Sequence, residues 1–158
     1  MAAWETRMGT MQRTGFVQDQ LTPPLTLRWT AGIRGSAYLW NSPTVSEDGI
    51  VYMSLQTEES KQAFCLHALR LDNGSVLRHQ PAIHIYATGA ATIRGDVVFA
   101  PDAHGIYCLD RFSGAVRWHY PVPSLIRESA PAISGDLVHV GCADGRLYTL
   151  DAATGQLV

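Results

Sequence analysis

Neither sign of charge dominates this sequence: 12 basic against 14 acidic side chains leave a formal charge of −2. That balance gives no electrostatic footprint for nucleic acid or an anionic membrane. Charged residues make up only 16% of the chain while 46% is apolar, which excludes a wholly disordered polypeptide or an acidic tail. Cysteine is scarce as well. Cys65, Cys108 and Cys142 form no C-x-x-C pair in a 158-residue chain, so they read as small apolar fillers of strands and not as a disulfide framework. No apolar run approaches the roughly 18–20 residues of a membrane span. The start, Met1 to Arg7, lacks a basic stretch followed by a greasy segment, so no signal peptide is readable. The expectation is a cytoplasmic protein or a chain that begins downstream of its true start. His67, His79, His84, His104, His119 and His139 include no H-x-x-x-H or H-x-H pair, and zinc is unsupported. There is no G-x-S-x-G elbow, no phosphate-binding glycine loop, and no helical 3.6-residue stripe of useful length.

What the sequence does contain is a repeat, and a period of 20–50 residues is the first thing to settle. Ser42-Pro43-Thr44-Val45 with Gly49-Ile50-Val51-Tyr52, Ala90-Ala91-Thr92-Ile93 with Gly95-Asp96-Val97-Val98-Phe99, and Ala130-Pro131-Ala132-Ile133 with Gly135-Asp136-Leu137-Val138-His139 line up. Later in each unit a turn glycine recurs: Gly74 to Gly114 is 40 residues and Gly114 to Gly155 is 41. Each unit reads as short β-rich runs between turn residues, with strands in the second near 90–94, 97–101, 105–110 and 115–120. The joints Arg94-Gly95-Asp96, Asp102-Ala103-His104-Gly105 and Arg111-Phe112-Ser113-Gly114 carry the Gly or Asp that tight hairpins want. The polar stretch Gln56 to Gln62 lengthens the first unit and reads as a solvated hairpin extension.

A four-stranded meander recurring at this spacing predicts an all-β protein built of β-propeller blades. Ile50-Val51-Tyr52-Met53 and Val97-Val98-Phe99-Ala100 are apolar on successive residues, as sheets buried on both faces require.

The string Asp110-Arg111-Phe112-Ser113-Gly114-Ala115-Val116-Arg117-Trp118 resembles the tryptophan-docking signature of the PQQ-like (pyrroloquinoline-quinone-like) repeat, Asp-x-x-Thr/Ser-Gly-x-x-x-Trp. That repeat occurs in quinoprotein alcohol dehydrogenases and in non-enzymatic propellers similar to an outer-membrane assembly lipoprotein. Asp151 to Val158 follows the signature up to the position where Trp is due, whereas the first unit has Arg70 for Asp, Asn73 for Thr and Arg78 for Trp. The resemblance implies that Trp29 and Trp118 lie over the backbone of turn glycines in neighbouring blades, where the missing Cβ admits a large ring. It casts Gly74, Gly114, Gly155, Asp110 and Asp151 as structural residues of those turns. Asn73-Gly74-Ser75 matches a glycosylation sequon, but the repeat's turn explains it.

Residues 1–24 resemble a lead-in, and Trp29 stands 14 residues before Pro43 much as Trp118 stands 13 before Pro131. Residues 25–29 are therefore expected to be an orphan outer strand. They precede a blade at 42–80, a blade at 90–120 and a truncated blade at 130–158. About three blades make an incomplete ring, since closed propellers have about 4–8. The expectation is the amino-terminal part of a longer protein, whose further blades cover the exposed faces. A second copy is the alternative, because strand 25–29 supplies what the blade at 130–158 lacks and two copies could exchange it to close six blades.

Propeller ligands commonly bind at the loops leading into the innermost strands. Here Arg127 and Glu128 are the polar ligand-facing candidates, with Asn41, Trp40 and Tyr86 beside them, since an Arg fork, a carboxylate and aromatic faces recognise many partners. The plainer alternative is an Arg–Glu surface pair and rim aromatics. Dehydrogenases of the family hold PQQ with Ca²⁺ and often adjacent cysteines; none are adjacent here, and Glu128 alone is no metal site, because Ca²⁺ takes about 6–8 oxygens. The sequence thus favours a non-enzymatic binding or scaffolding propeller without cofactor or metal, presenting rim loops to a protein or saccharide. A fragment of a PQQ-dependent alcohol or sugar dehydrogenase is the alternative. The family resemblance implies the cell envelope or an extracellular setting.

Overall fold

Meander turns at Gly95 and Gly135, with φ of 54° and 56°, set the local architecture, because two-residue hairpins of the favoured hand require positive φ. The structure, a computed structural model, describes residues 23–32, 42–56, 64–80, 89–126 and 129–158. Three antiparallel sheets result. The first orders β1 (Thr44–Val45), β2 (Ile50–Gln56), β3 (Phe64–Arg70) and β4 (Val76–Gln80). The second orders β5 (Thr92–Arg94), β6 (Val97–Pro101), β7 (Gly105–Asp110) and β8 (Val116–Pro121). The third holds β9 (Ala132–Ser134), β10 (Leu137–Gly141) and β11 (Leu147–Asp151). All eleven elements among the described residues are strands, and every neighbour in a sheet is also the neighbour in sequence.

The sheets repeat in register as well as in order. Ala68 faces Arg78 across β3 and β4 just as Cys108 faces Trp118 across β7 and β8. Both ladders slip at equivalent points, between Ala68 and Leu69 and between Cys108 and Leu109. A bulge there bends the ladder and adds twist before the outer strand turns away.

Packing explains why strand residues are apolar in succession. Val98, Phe99 and Ala100 of β6 are all buried, although they point to alternate faces. One face contributes Ile93, Val98 and Leu109 to a cluster with Tyr52, Leu66 and Ala68 of the first sheet. The other contributes Phe99, Ile106 and Cys108 to a cluster with Val138 and Leu150 of the third. The second sheet is therefore a middle wedge with an apolar seam on each side. The architecture is that of propeller blades in an open arc, as the repeat predicts.

Residues 25–30 pair with no strand among the described residues, as expected of an orphan outer strand. The third sheet does begin an outer strand: Leu157 bridges to Leu150, and Val158 N–H donates to Thr149 O at 2.9 Å.

Candidate functional site

Of the rim, the described part is the loop that leaves β8 and heads for β9. Val122 N–H donates to His104 O at 2.7 Å and Ile126 N–H to Ala103 O at 3.1 Å, tying it to the β6–β7 hairpin of its own sheet. Leu125 O accepts from Ala143 N–H at 2.8 Å, tying it to the β10–β11 hairpin of the next. Below it Val122, Ile126, Val140 and Tyr148 form a small buried cluster. Asp102 anchors the β6–β7 hairpin by accepting from His104 N–H at 2.7 Å, and burial pushes its carboxyl above the ordinary range. Asp144 accepts from Tyr148 O–H at 2.7 Å, which holds it below that range. The five residues proposed from sequence to face a ligand, Arg127, Glu128, Asn41, Trp40 and Tyr86, lie outside the described residues. Arg127 and Glu128 follow directly on the anchored Ile126.

At the seams an indole meets a turn. Trp118, on β8, donates from Nε1 to Ala152 O at 3.0 Å, and its ring atoms stand 2.6 Å from where a Cβ on Gly155 would be. Trp29 does the same on the first sheet, donating to Leu71 O at 2.8 Å with ring atoms 2.5 Å from the Cβ position of Gly74. Both glycines have φ of +73°, so the chain needs a residue without Cβ for conformation and for space. The aspartates hold the turns from below. Asp110 Oδ1 accepts from Ser113 N–H and Oγ–H, both at 2.8 Å, and Asp151 Oδ1 accepts from Thr154 N–H and Oγ1–H at the same distance. In the first unit Asn73 Oδ1 accepts from Ser75 N–H at 2.9 Å instead.

Arg117 adds a charged layer that the sequence analysis did not single out. Its Nη2 donates to Asp110 Oδ2 at 2.6 Å and Asp96 Oδ2 at 2.7 Å, lowering both carboxyls below their usual range. Asp151 is lowered mainly by Thr154. The alternation of Arg117 with Trp118 on a strand was the available signal, because it puts the cation on the side opposite the indole. Arg94 crosses the next seam to Asp136 at 2.8 Å.

The first seam differs from the second in its filling. A water-sized cavity of about 10 Å³ is lined by Tyr52, Leu66, Ala68, Val98, Leu109, Asp110 and Gly114. By register these match the surroundings of Trp118, namely Phe99, Ile106, Cys108, Val138, Leu150, Asp151 and Gly155. In the backbone register Arg78 holds the strand position that Trp118 has in the second sheet.

Chemically, the described residues offer frames and seams. Among them no group of three or more His, Cys, Asp or Glu is placed to hold a metal ion. No helix of the described residues is long and apolar enough to cross a membrane.

Solved structures share this arrangement. BamB from Moraxella catarrhalis superposes with a TM-score of 0.65 at 24% identity, over 83% of this chain and 38% of that one. Quinohemoprotein alcohol dehydrogenase ADHIIG from Pseudomonas putida HK5 gives 0.76 at 15% identity, over 99% of this chain and 26% of the enzyme. The computationally designed Ika4 protein gives 0.65 at 18%, over 84% and 77%. The chain thus spans well under half the length of these two natural proteins. No curated protein sequence matches it. A family model described as outer membrane protein assembly factor BamB matches residues 26–158, and the chain accordingly belongs to that family of PQQ-like β-propeller repeats.

Proposed function

We propose that the chain is part of a non-enzymatic binding or scaffolding propeller whose rim loops engage a protein or saccharide partner. The match of residues 26–158 to a family described as an assembly factor carries this reading. The disposition of the carboxylates supports it. Asp110 and Asp151 serve turns, Asp96 serves Arg117, and Asp144 serves Tyr148. The rim supports it too, because the loop ending at Ile126 is anchored to two hairpins, and a fork and a carboxylate, Arg127 and Glu128, come next in the sequence. Asn41, Trp40 and Tyr86 would supply adjoining surface at the equivalent loops. No cofactor enters this reading.

A test is an array of linear peptides and oligosaccharides probed with labelled protein. Ligands retained by the parent should bind at least tenfold more weakly to the Arg127→Ala, Glu128→Ala double variant of unchanged melting temperature. The second reading, a segment of a PQQ-dependent alcohol or sugar dehydrogenase, is favoured by the superposition over 99% of the chain on the Pseudomonas putida enzyme. It requires quinone absorbance and dye-linked alcohol oxidation after incubation with PQQ and Ca²⁺, and their appearance would replace the binding reading.

A further inference from the structure

The turns that carry the recurring glycine share a shape but not a chemistry. The residue before the glycine is Asn73 in the first sheet, Ser113 in the second and Thr154 in the third. Ser113 and Thr154 donate through their hydroxyls to Asp110 and Asp151 at 2.8 Å. Arg70 stands in that aspartate's place in the first turn, and Asn73 turns its Oδ1 forward to accept from Ser75 N–H at 2.9 Å. A primary amide therefore sits next to a glycine. The sequence has one other asparagine, Asn41, and it precedes Ser42.

An asparagine is chemically labile because its side-chain carbonyl carbon lies within ring-closing reach of the backbone nitrogen that follows. Glycine hinders that nitrogen least, having no Cβ and the widest backbone freedom. Asn73 is exposed. Gly74 is buried: its N–H donates to Arg70 O at 2.9 Å, and ring atoms of Trp29 stand 2.5 Å from where its Cβ would be. The nitrogen becomes a nucleophile only after base removes its proton, and a buried, bonded N–H yields that proton only when the turn opens. Trp29 keeps the turn shut, by its ring on Gly74 and by its Nε1–H bond to Leu71 O at 2.8 Å.

We propose that Asn73-Gly74 is a site of spontaneous deamidation latched by Trp29, and that its isoaspartyl product frees residues 25–30 from the first sheet. Once the turn opens, Gly74 N attacks Asn73 Cγ. The N–Cγ bond forms, the Cγ–Nδ2 bond breaks, and ammonia leaves with the proton that Gly74 gave up. The cyclic imide then adds water from the solvent. Cleavage between Gly74 N and Cγ leaves aspartate, whereas cleavage between Gly74 N and the main-chain carbonyl carbon leaves isoaspartate. No electrons are exchanged. Isoaspartate inserts a methylene into the main chain just before Gly74, in a turn closed by the bond from Gly74 N–H to Arg70 O and covered tightly by the indole. Trp29 then cannot hold both its contact with Gly74 and its bond to Leu71 O. Ser113 and Thr154 have no amide to lose, so the other two turns are proof against this change.

Incubation of the whole chain in mildly alkaline buffer, followed by peptide mapping with mass spectrometry, tests this. The peptide holding Asn73 should gain the mass of an amide-to-acid exchange, which separates it from rearrangement at Asp48-Gly49 or Asp144-Gly145, where mass is unchanged. Trp29→Ala removes the ring and a hydrogen bond, and it should convert about tenfold faster than the parent. In urea, where the turn is open, parent and variant should share one faster rate. Hydrogen exchange in the parent supplies a readout that needs no variant: folding should slow exchange at Gly74 N–H by the same factor as it slows conversion. Asn73→Thr, the residue of the third turn, should abolish the mass gain. Trypsin should cut after Arg28 faster in the isoaspartyl chain than in the unconverted one. A folded parent that converts as fast as in urea, a folded Trp29→Ala variant that keeps the parent's rate, or an isoaspartyl chain cut no faster after Arg28 would overturn the proposal.

Discussion

Replacing Gly155 by alanine isolates the free energy held at one seam. The new Cβ would lie 2.6 Å from the Trp118 ring at a φ of +73°. Left-handed backbone alone costs an alanine about 1–2 kcal/mol. The ring must also retreat by most of an ångström, stretching the 3.0 Å bond from Nε1 to Ala152 O and opening its packing against Phe99. A weakened hydrogen bond and the lost contacts add about 2 kcal/mol, for a total of about 3–4 kcal/mol. Gly135 is the natural control, with φ of +56° and nothing within 4 Å of its Cβ position. Gly135→Ala should cost only the backbone portion, about 1–2 kcal/mol. Urea unfolding of the two variants, each also made in a Trp118→Ala background, completes the comparison. Without the indole, Gly155→Ala should fall to the cost of Gly135→Ala, a coupling of about 2 kcal/mol. Equal costs for the two glycines in the parent, or no coupling to Trp118, would refute the account of the seam.

Arg78→Trp, which puts an indole at the strand position that Trp118 holds in the second sheet, should raise stability by about 1–2 kcal/mol in the same assay. Acid titration should show the signature of depressed carboxyls. Asp96, Asp110 and Asp151 are held below their unfolded values, so their stabilisation is complete above about pH 4 and is lost as pH falls through the lower folded values. Arg117→Met, by releasing Asp96 and Asp110, should flatten that acid limb measurably in melting temperature against pH, and an unchanged limb would count against the assignment.

The sheets were legible because three signals agree at each hairpin: Gly95 and Gly135 at the turns, Asp after each, and apolar residues in succession on β6. Strand boundaries for the second unit moved by no more than two residues at β5 and one at β8. The segment 25–29 illustrates the limit. Its composition suits an outer strand, but strand pairing depends on a neighbour, which composition cannot supply. The cavity at the first seam was half legible: Arg78 in the indole position signals a different filling, while the lining emerges only from register across two sheets. Arg117 was passed over because a surface Arg looks like any other until Asp96 and Asp110 are brought to it from separate turns. The rim candidates rest on the topology of the loops, and they fall beyond the described residues.

The seam at Trp118 has an evolutionary corollary. The indole that one sheet offers its successor and the bare turn and carbonyl that receive it, Trp118 with Gly155 and Ala152, fall within a single interval of 41 residues from Gly114 to Gly155. Tandem duplication or deletion of such an interval in the gene would splice like to like, so relatives can differ in circumference while every joint keeps the same chemistry.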